Sequence, residues 1–314
     1  MKNNTTLAIA VLAGTLATSA FGSTIFITSR DSGFADLYQY GLNGAQLQTI
    51  QGNGLNNGQG LTIGANGNLF VSSETGVILQ YNPTTGAFIS TFASGLGSGG
   101  PLSLGLDGNL YLGAYDVVKK LNGTTGALIS SIGAGTGLGS VSGLAFDGTG
   151  NLYAGNGVTG LINKYDSAGA FVSNFVSGNA ALSNGVGDLL FNGTTLLVSA
   201  TFGSGGPSWG SKILAFAANG SALPDFASDS HLNGPAGMAF GPDGNLYVVN
   251  YAGGNVVRFS SAGAYIDTFI ANNPPAGRGI AFALDAQVNG VPEPASAALL
   301  GGGLLVLGLG LRKR

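Results

Sequence analysis

Gly143-Leu-Ala-Phe-Asp-Gly-Thr-Gly-Asn-Leu-Tyr153 and Gly237-Met-Ala-Phe-Gly-Pro-Asp-Gly-Asn-Leu-Tyr247 are near copies of one another, and Gly60–Phe70, Ser103–Tyr111 and Gly187–Val198 are looser versions of the same phrase. Each reads as an apolar strand, a turn in which Gly, Asn or Asp supplies positive φ, and a second apolar strand. Another turn recurs at Tyr40–Gly44, Tyr81–Gly86, Leu121–Gly126, Tyr165–Gly169, Phe216–Gly220 and Phe259–Gly263, with closing glycines 42, 40, 43, 51 and 43 residues apart. Runs such as Ala87-Phe-Ile-Ser-Thr-Phe92 and Ala264-Tyr-Ile-Asp-Thr-Phe269 follow these turns. Their alternation predicts strands with one buried face.

Four strands in a repeat of about 43 residues make the blade of a β-propeller, and six hairpins make six blades. The ends of the repeat region predict how the ring closes. The first repeat opens directly at Thr24-Ile-Phe-Ile-Thr28, without an inner strand, and Gly279-Ile-Ala-Phe282 after the last hairpin has no partner. The spare strand, residues 279–283, fits the vacancy in blade one and leaves no long open edge. A seventh blade would need another hairpin, which the sequence lacks. The expected class is all-β, a six-bladed propeller of four-stranded blades over residues 23–287.

Composition agrees. The 314 residues include 57 Gly but only 11 basic and 14 acidic side chains, no Cys and one His. A chain so poor in charge and rich in turn residues is neither a coiled coil nor a charge-rich disordered protein. Without a three-residue glycine period it is not collagen. Residues 24–290 carry seven basic and thirteen acidic side chains, a net charge of −6 that argues against nucleic acid as a partner.

The two ends carry other signals. One Lys, the apolar run Leu7–Ala17 and the small residues around Ala20-Phe-Gly22 read as a signal peptide over residues 1–22, a substrate for signal peptidase. At the other end, Pro292-Glu293-Pro294 precedes seventeen uncharged residues, Ala295–Leu311, and then Arg312, Lys313 and Arg314. Such a stretch is about 26 Å long as a helix, enough to cross a membrane with its basic end on the cytoplasmic side. We therefore expect a linker and Pro-Glu-Pro motif at 288–294 and a membrane helix with basic tail at 295–314.

That tripartite tail resembles the PEP-CTERM sorting signal of Gram-negative bacteria. The resemblance implies export, transient anchoring in the inner membrane, recognition by an exosortase near Pro292, Glu293 and Pro294, and delivery to the cell surface or extracellular matrix. The repeats resemble the NHL and SMP-30/gluconolactonase-like six-bladed propellers. In that family the second strand of a blade usually ends in Asp; here the places hold Ser29, Ser73, Ala114, Asn156, Ala200 and Asn250.

The loops that enter the first strand and leave the second share one face, around the central channel. The expected mouth is Arg30, Asp31, Glu74, Asp116, Asn156, Asp188, His231, Asn250 and Arg278. The family resemblance implies a divalent-cation site there, built from oxygen ligands; Asn156, Asp188 and Asn250 are its counterparts, suited to Ca²⁺ or Zn²⁺, without the family's Glu. A lone His231 cannot make a three-His zinc site, no nucleophile elbow accompanies it, and the absence of Cys excludes thiol chemistry. Repeat four is lengthened by Phe202-Gly-Ser-Gly-Gly-Pro-Ser-Trp-Gly210, and Trp209 on this loop could either stack on a sugar ring or seal a blade edge.

Two functions follow. One is a monomeric, non-enzymatic surface or exopolysaccharide-matrix protein without a cofactor, binding at the mouth or through Trp209. The other is a secreted metal-dependent lactonase or related hydrolase.

Overall fold

Successive side chains of a strand point to opposite faces of its sheet, and in this chain both faces of most sheets are buried. In the strand Thr24–Ser29, Ile25 and Ile27 join a core shared with Tyr247, Val249 and Val256, while Phe26 between them joins a core with Leu69, Val71 and Tyr81. The computed structural model describes residues 23–30, 37–183, 185–202, 209–271 and 276–284, without the side chains of Phe202 and Trp209. Both expected end segments, including the sorting motif and the apolar stretch 295–311, lie outside the described residues, as does Asp31.

The sheets number six, each of four antiparallel strands. Blade one contains Gly277–Ala283, Thr24–Ser29, Leu37–Gly41 and Gln46–Ile50, from the inside outward. Blade two runs from Gly58–Ile63 to Phe88–Ala93, and blade three from Leu102–Leu104 to Leu128–Ile132. Blades four, five and six begin at Val141–Phe146, Leu189–Asn192 and Pro235–Phe240. The expected closure is present and slightly longer than the sequence suggested: the strand begins at Gly277, and its register pairs Thr24 with Ala283 and Ile27 with Ile280.

Six hydrophobic clusters fill the six gaps between adjacent blades, one for each gap. The core is therefore a ring rather than a centre, and each blade depends on two neighbours. The outer strands depart from the sequence reading. Phe88, Ile89, Leu128, Ile129, Phe171 and Val172 are all exposed, not half-buried on one face. Blades diverge from the axis like wedges, so the fourth strand reaches the gap clusters mainly through its last residues, Ile50, Ile132, Val176 and Ile270, while the residues at its start stand in solvent.

Near the axis the opposite constraint applies. A Cβ at Gly60 would sit 2.2 Å from the backbone nitrogen of Leu102 in blade three, and one at Gly237 would sit 2.2 Å from the carbonyl oxygen of Arg278 in blade one. Only glycine allows the inner strands to approach this closely. Buried hydroxyls then bind one blade to the next. Ser72 Oγ donates to Gly100 O at 2.6 Å and accepts from Gly60 N, Thr28 Oγ1 donates to Gln59 O at 2.6 Å, and Ser199 Oγ donates to Ala236 O at 2.8 Å.

The repeated Gly-Asn-Leu-Tyr phrase holds a polar cluster at the opposite ends of the same strands. Asp147 accepts from the Asn151 amide group and backbone, from Thr149, and from the Tyr153 hydroxyl. Lys164 lies over the Tyr153 ring, 5.1 Å from its centroid. Asp107 with Tyr111 and Lys120, and Asp243 with Tyr247 and Arg258, repeat the arrangement. The motif thus locks the turn between the first two strands of its blade.

Candidate binding site at the channel mouth

The inner strands surround a cavity of about 300 Å³ lined by residues from all six blades. Of the expected mouth residues, the structure brings together Arg30, Glu74, Asp188 and Arg278 on this cavity. Arg30 and Glu74 follow the last residues of two neighbouring second strands, and their ion pair measures 2.6 Å. The other oxygen of Glu74 accepts from Asn57 Nδ2 at 2.8 Å. The Asn57 hydrogen bond, then the Arg30 and Arg278 charges, hold the Glu74 carboxyl below its ordinary pKa against the opposing effect of burial.

Asp188 stands at the start of blade five's inner strand. One carboxylate oxygen accepts from Leu189 N at 2.8 Å and the other from Met238 N, across the blade boundary, at 3.0 Å. Desolvation pushes its pKa up to about 7, more than those two backbone donors can offset. The part of its surface that is not covered by protein borders the cavity.

Arg278 enters from blade one. Its guanidinium lies 4.6 Å from the centroid of the Tyr251 ring, and its Nε is buried with no hydrogen-bond partner among the described residues. Burial first, and the Arg30 charge next, lower its pKa from the ordinary arginine value.

The remaining expected residues lie elsewhere. Asn156 is buried and caps its own turn: Oδ1 accepts from Val158 N and Thr159 N, and Nδ2 donates to Gly137 O. Asn250 is also buried; Oδ1 accepts from Asn233 N, while Nδ2 donates to His231 O and Asn255 Oδ1. Neither borders the cavity, and both oxygens of Asp188 already accept backbone hydrogen bonds. The set Asn156, Asp188 and Asn250 therefore does not fit a Ca²⁺ or Zn²⁺ ion. Among the described residues no three His, Cys, Asp or Glu side chains gather to replace it.

Asp116 is exposed and outside the cavity, although its neighbour Tyr115 lines it. His231 sits against the outer strand of blade six, stacked on Tyr265 at 3.8 Å and 7° and paired with Asp229 at 2.7 Å. Trp209 opens the strand Trp209–Phe216, whose partner Thr195–Phe202 ends on the same face as the cavity. Its side chain and residues 203–208 lie outside the described residues.

The sequence reading missed Tyr115, Tyr251 and Asn57. A positional signal was available for the two tyrosines. Second strands point their side chains at neighbouring blades, so the terminal residues Ser73, Asn156 and Asn250 face a blade gap. Residues just beyond the strand ends are released from that pattern: Glu74 and Tyr115 line the cavity, and Tyr251 meets Arg278.

No family model and no curated protein matches the chain. Solved structures do. A chain of a nidogen/laminin complex superposes with a TM-score of 0.65 at 17% identity, covering 84% of this chain and 99% of that one. A gluconolactonase from Xanthomonas campestris gives 0.58 at 16% identity over 71% and 78%. A virginiamycin B lyase from Staphylococcus aureus gives 0.54 at 15% over 71% and 73%. Likenesses at this identity establish the fold alone: the chain is a six-bladed β-propeller with structural neighbours among gluconolactonases and streptogramin B lyases.

Proposed function

We propose that this chain is an exported propeller that works by binding, as a surface or exopolysaccharide-matrix protein, with the channel mouth as its binding site. One observation carries the reading. The two amides that the lactonase resemblance needs as metal ligands, Asn156 and Asn250, spend their oxygens on internal turns, while Arg30, Glu74, Asp188 and Arg278 border a cavity suited to a small ligand. Delivery rests on the sequence ends: signal peptidase at the N-terminus, then an inner-membrane stay through residues 295–311 and exosortase recognition at Pro292, Glu293 and Pro294.

The hydrolase reading keeps one observation on its side. Asp188 is a carboxyl on the cavity whose pKa near 7 suits general acid or base work. The purified protein, passed over resin carrying the producer's exopolysaccharide, is expected to be retained, with retention and melting temperature insensitive to chelator. Stoichiometric Ca or Zn together with lactone turnover abolished by Asp188→Ala would sink the binding proposal.

A further inference from the structure

The charges on the cavity are unevenly paired. Its two cations are Arg30 and Arg278, and its carboxylates are Glu74 and Asp188. Glu74 is taken by Arg30 and Asn57, and Asp188 by two backbone N–H groups. Among the described residues no carboxylate lies within ion-pair distance of Arg278. A guanidinium is rarely sequestered without an acidic partner, because desolvating a charge is costly unless something compensates for it. Here the compensation within the chain is partial: the Tyr251 ring and its hydroxyl, and the charge of Glu74 from beyond ion-pair distance, leave an Nε that finds no acceptor among the described residues. The planar fork is held ready beside a cavity on a protein whose residues 24–290 are otherwise net negative.

We infer that Arg278 is the anchor of a carboxylate-binding subsite and that the ligand is a carboxylated sugar residue, a uronate, seated in the channel mouth. A carboxylate matches the guanidinium fork in pairs of parallel hydrogen bonds, a match that a neutral hydroxyl lacks. About 300 Å³ is the low end for ligand sites and admits one sugar ring rather than an extended chain. Ser140 and Tyr115, on the lining contributed by blades three and four across the cavity from blade one, bring hydroxyls to partner those of a ring. This inference rests on the binding reading above and specifies the chemistry of its ligand.

The test is calorimetric titration of the full chain at neutral pH and low salt with glucuronate, glucose and acetate. Glucuronate is expected to bind at least tenfold more tightly than either of the others. Arg278→Gln should reduce glucuronate to the level of glucose without lowering the melting temperature. Arg278→Lys, which keeps the charge but loses the fork, should fall between. Equal binding of glucuronate and glucose, acetate matching glucuronate, or an Arg278→Gln protein that still binds glucuronate as the wild type does would each overturn the inference. Polymer columns separate it from the broader reading. Equal retention on dextran and polygalacturonate leaves a matrix binder without the carboxylate subsite. Glucuronate binding with no retention on either polymer leaves the subsite without the matrix role.

Discussion

Asp188→Asn should change how stability depends on pH. In the folded chain Asp188 holds its proton to about pH 7, whereas an unfolded aspartate releases it near 3.8. Between these values the unfolded state binds fewer protons than the folded one, so stability is greatest below the lower pKa and is lost as pH rises toward the upper one. The whole shift corresponds to about 4 kcal/mol, and the portion between pH 5 and pH 8 to about 2.5 kcal/mol. Asn at this position does not titrate. It keeps one acceptor for Leu189 N or Met238 N and leaves the other donor facing an amide, at a pH-independent cost of about 1–3 kcal/mol. The wild type should therefore be the more stable protein at pH 5 and lose its advantage by pH 8. For a domain of this size the difference in melting temperature should change by about 5–10 °C across that range. Differential scanning calorimetry of both proteins at half-unit pH intervals measures this directly, and groups common to the two cancel in the difference. A constant offset from pH 5 to pH 8 would refute the assignment of a retained proton to Asp188.

Three further outcomes follow from the ring. Gly237→Ala places a methyl group against the backbone of Arg278 and should lower stability by about 1–3 kcal/mol by thermal melting, far more than alanine at an exposed turn glycine such as Gly67 would through packing alone. Ser72→Ala strands Gly60 N and Gly100 O between blades two and three and should cost about 1–3 kcal/mol in urea unfolding, while Ser72→Thr restores part of the loss. For Asp147, burial alone would raise the pKa, but hydrogen bonds from Asn151 and Thr149 outweigh it and hold the value to about 2, so its contribution of about 2 kcal/mol is present above pH 4 and lost as pH falls toward 2. Asp147→Asn should flatten that part of the acid unfolding curve, as followed by circular dichroism.

The fold was legible because its determinants are local and repeated. Gly-Asn-Leu-Tyr phrases and hairpin glycines state the strand order within a blade, and the unpaired Gly279–Phe282 run states which blade closes the ring. The outer strands were found, but the exposure of their first residues was not, because alternation in Ala87–Phe92 records the pleat and not how far the neighbouring blade stands away. The site was legible in part for a related reason. Arg30, Glu74, Asp188 and Arg278 occupy loop ends that the repeat places on one face, but which end residue turns inward depends on the sheet's orientation to the axis. Asn156 and Asn250 point into blade gaps because they still belong to their strands, and Tyr251 reaches Arg278 because it has left one. His231 illustrates a different limit: its loop begins on the mouth face, yet stacking on Tyr265 draws the ring outward.

Blade one is assembled from the two extremes of the described chain, with Gly279 N bonded to Thr28 Oγ1 across 251 positions of sequence. Contacts this distant form late, because the loop between the partners must first become ordered. The ring should therefore complete through one slow final pairing, with five blades waiting on the sixth. The same arrangement makes the position of the chain break arbitrary. Ala283 and Thr24 face each other as Phe240 and Leu246 do in blade six, where the turn Gly241-Pro-Asp-Gly-Asn245 joins them. Grafting that turn between Ala283 and Thr24, and reopening the chain in the connection between blades three and four, gives a circular permutant with the same six sheets, in which blade one is a local hairpin and the late step passes elsewhere.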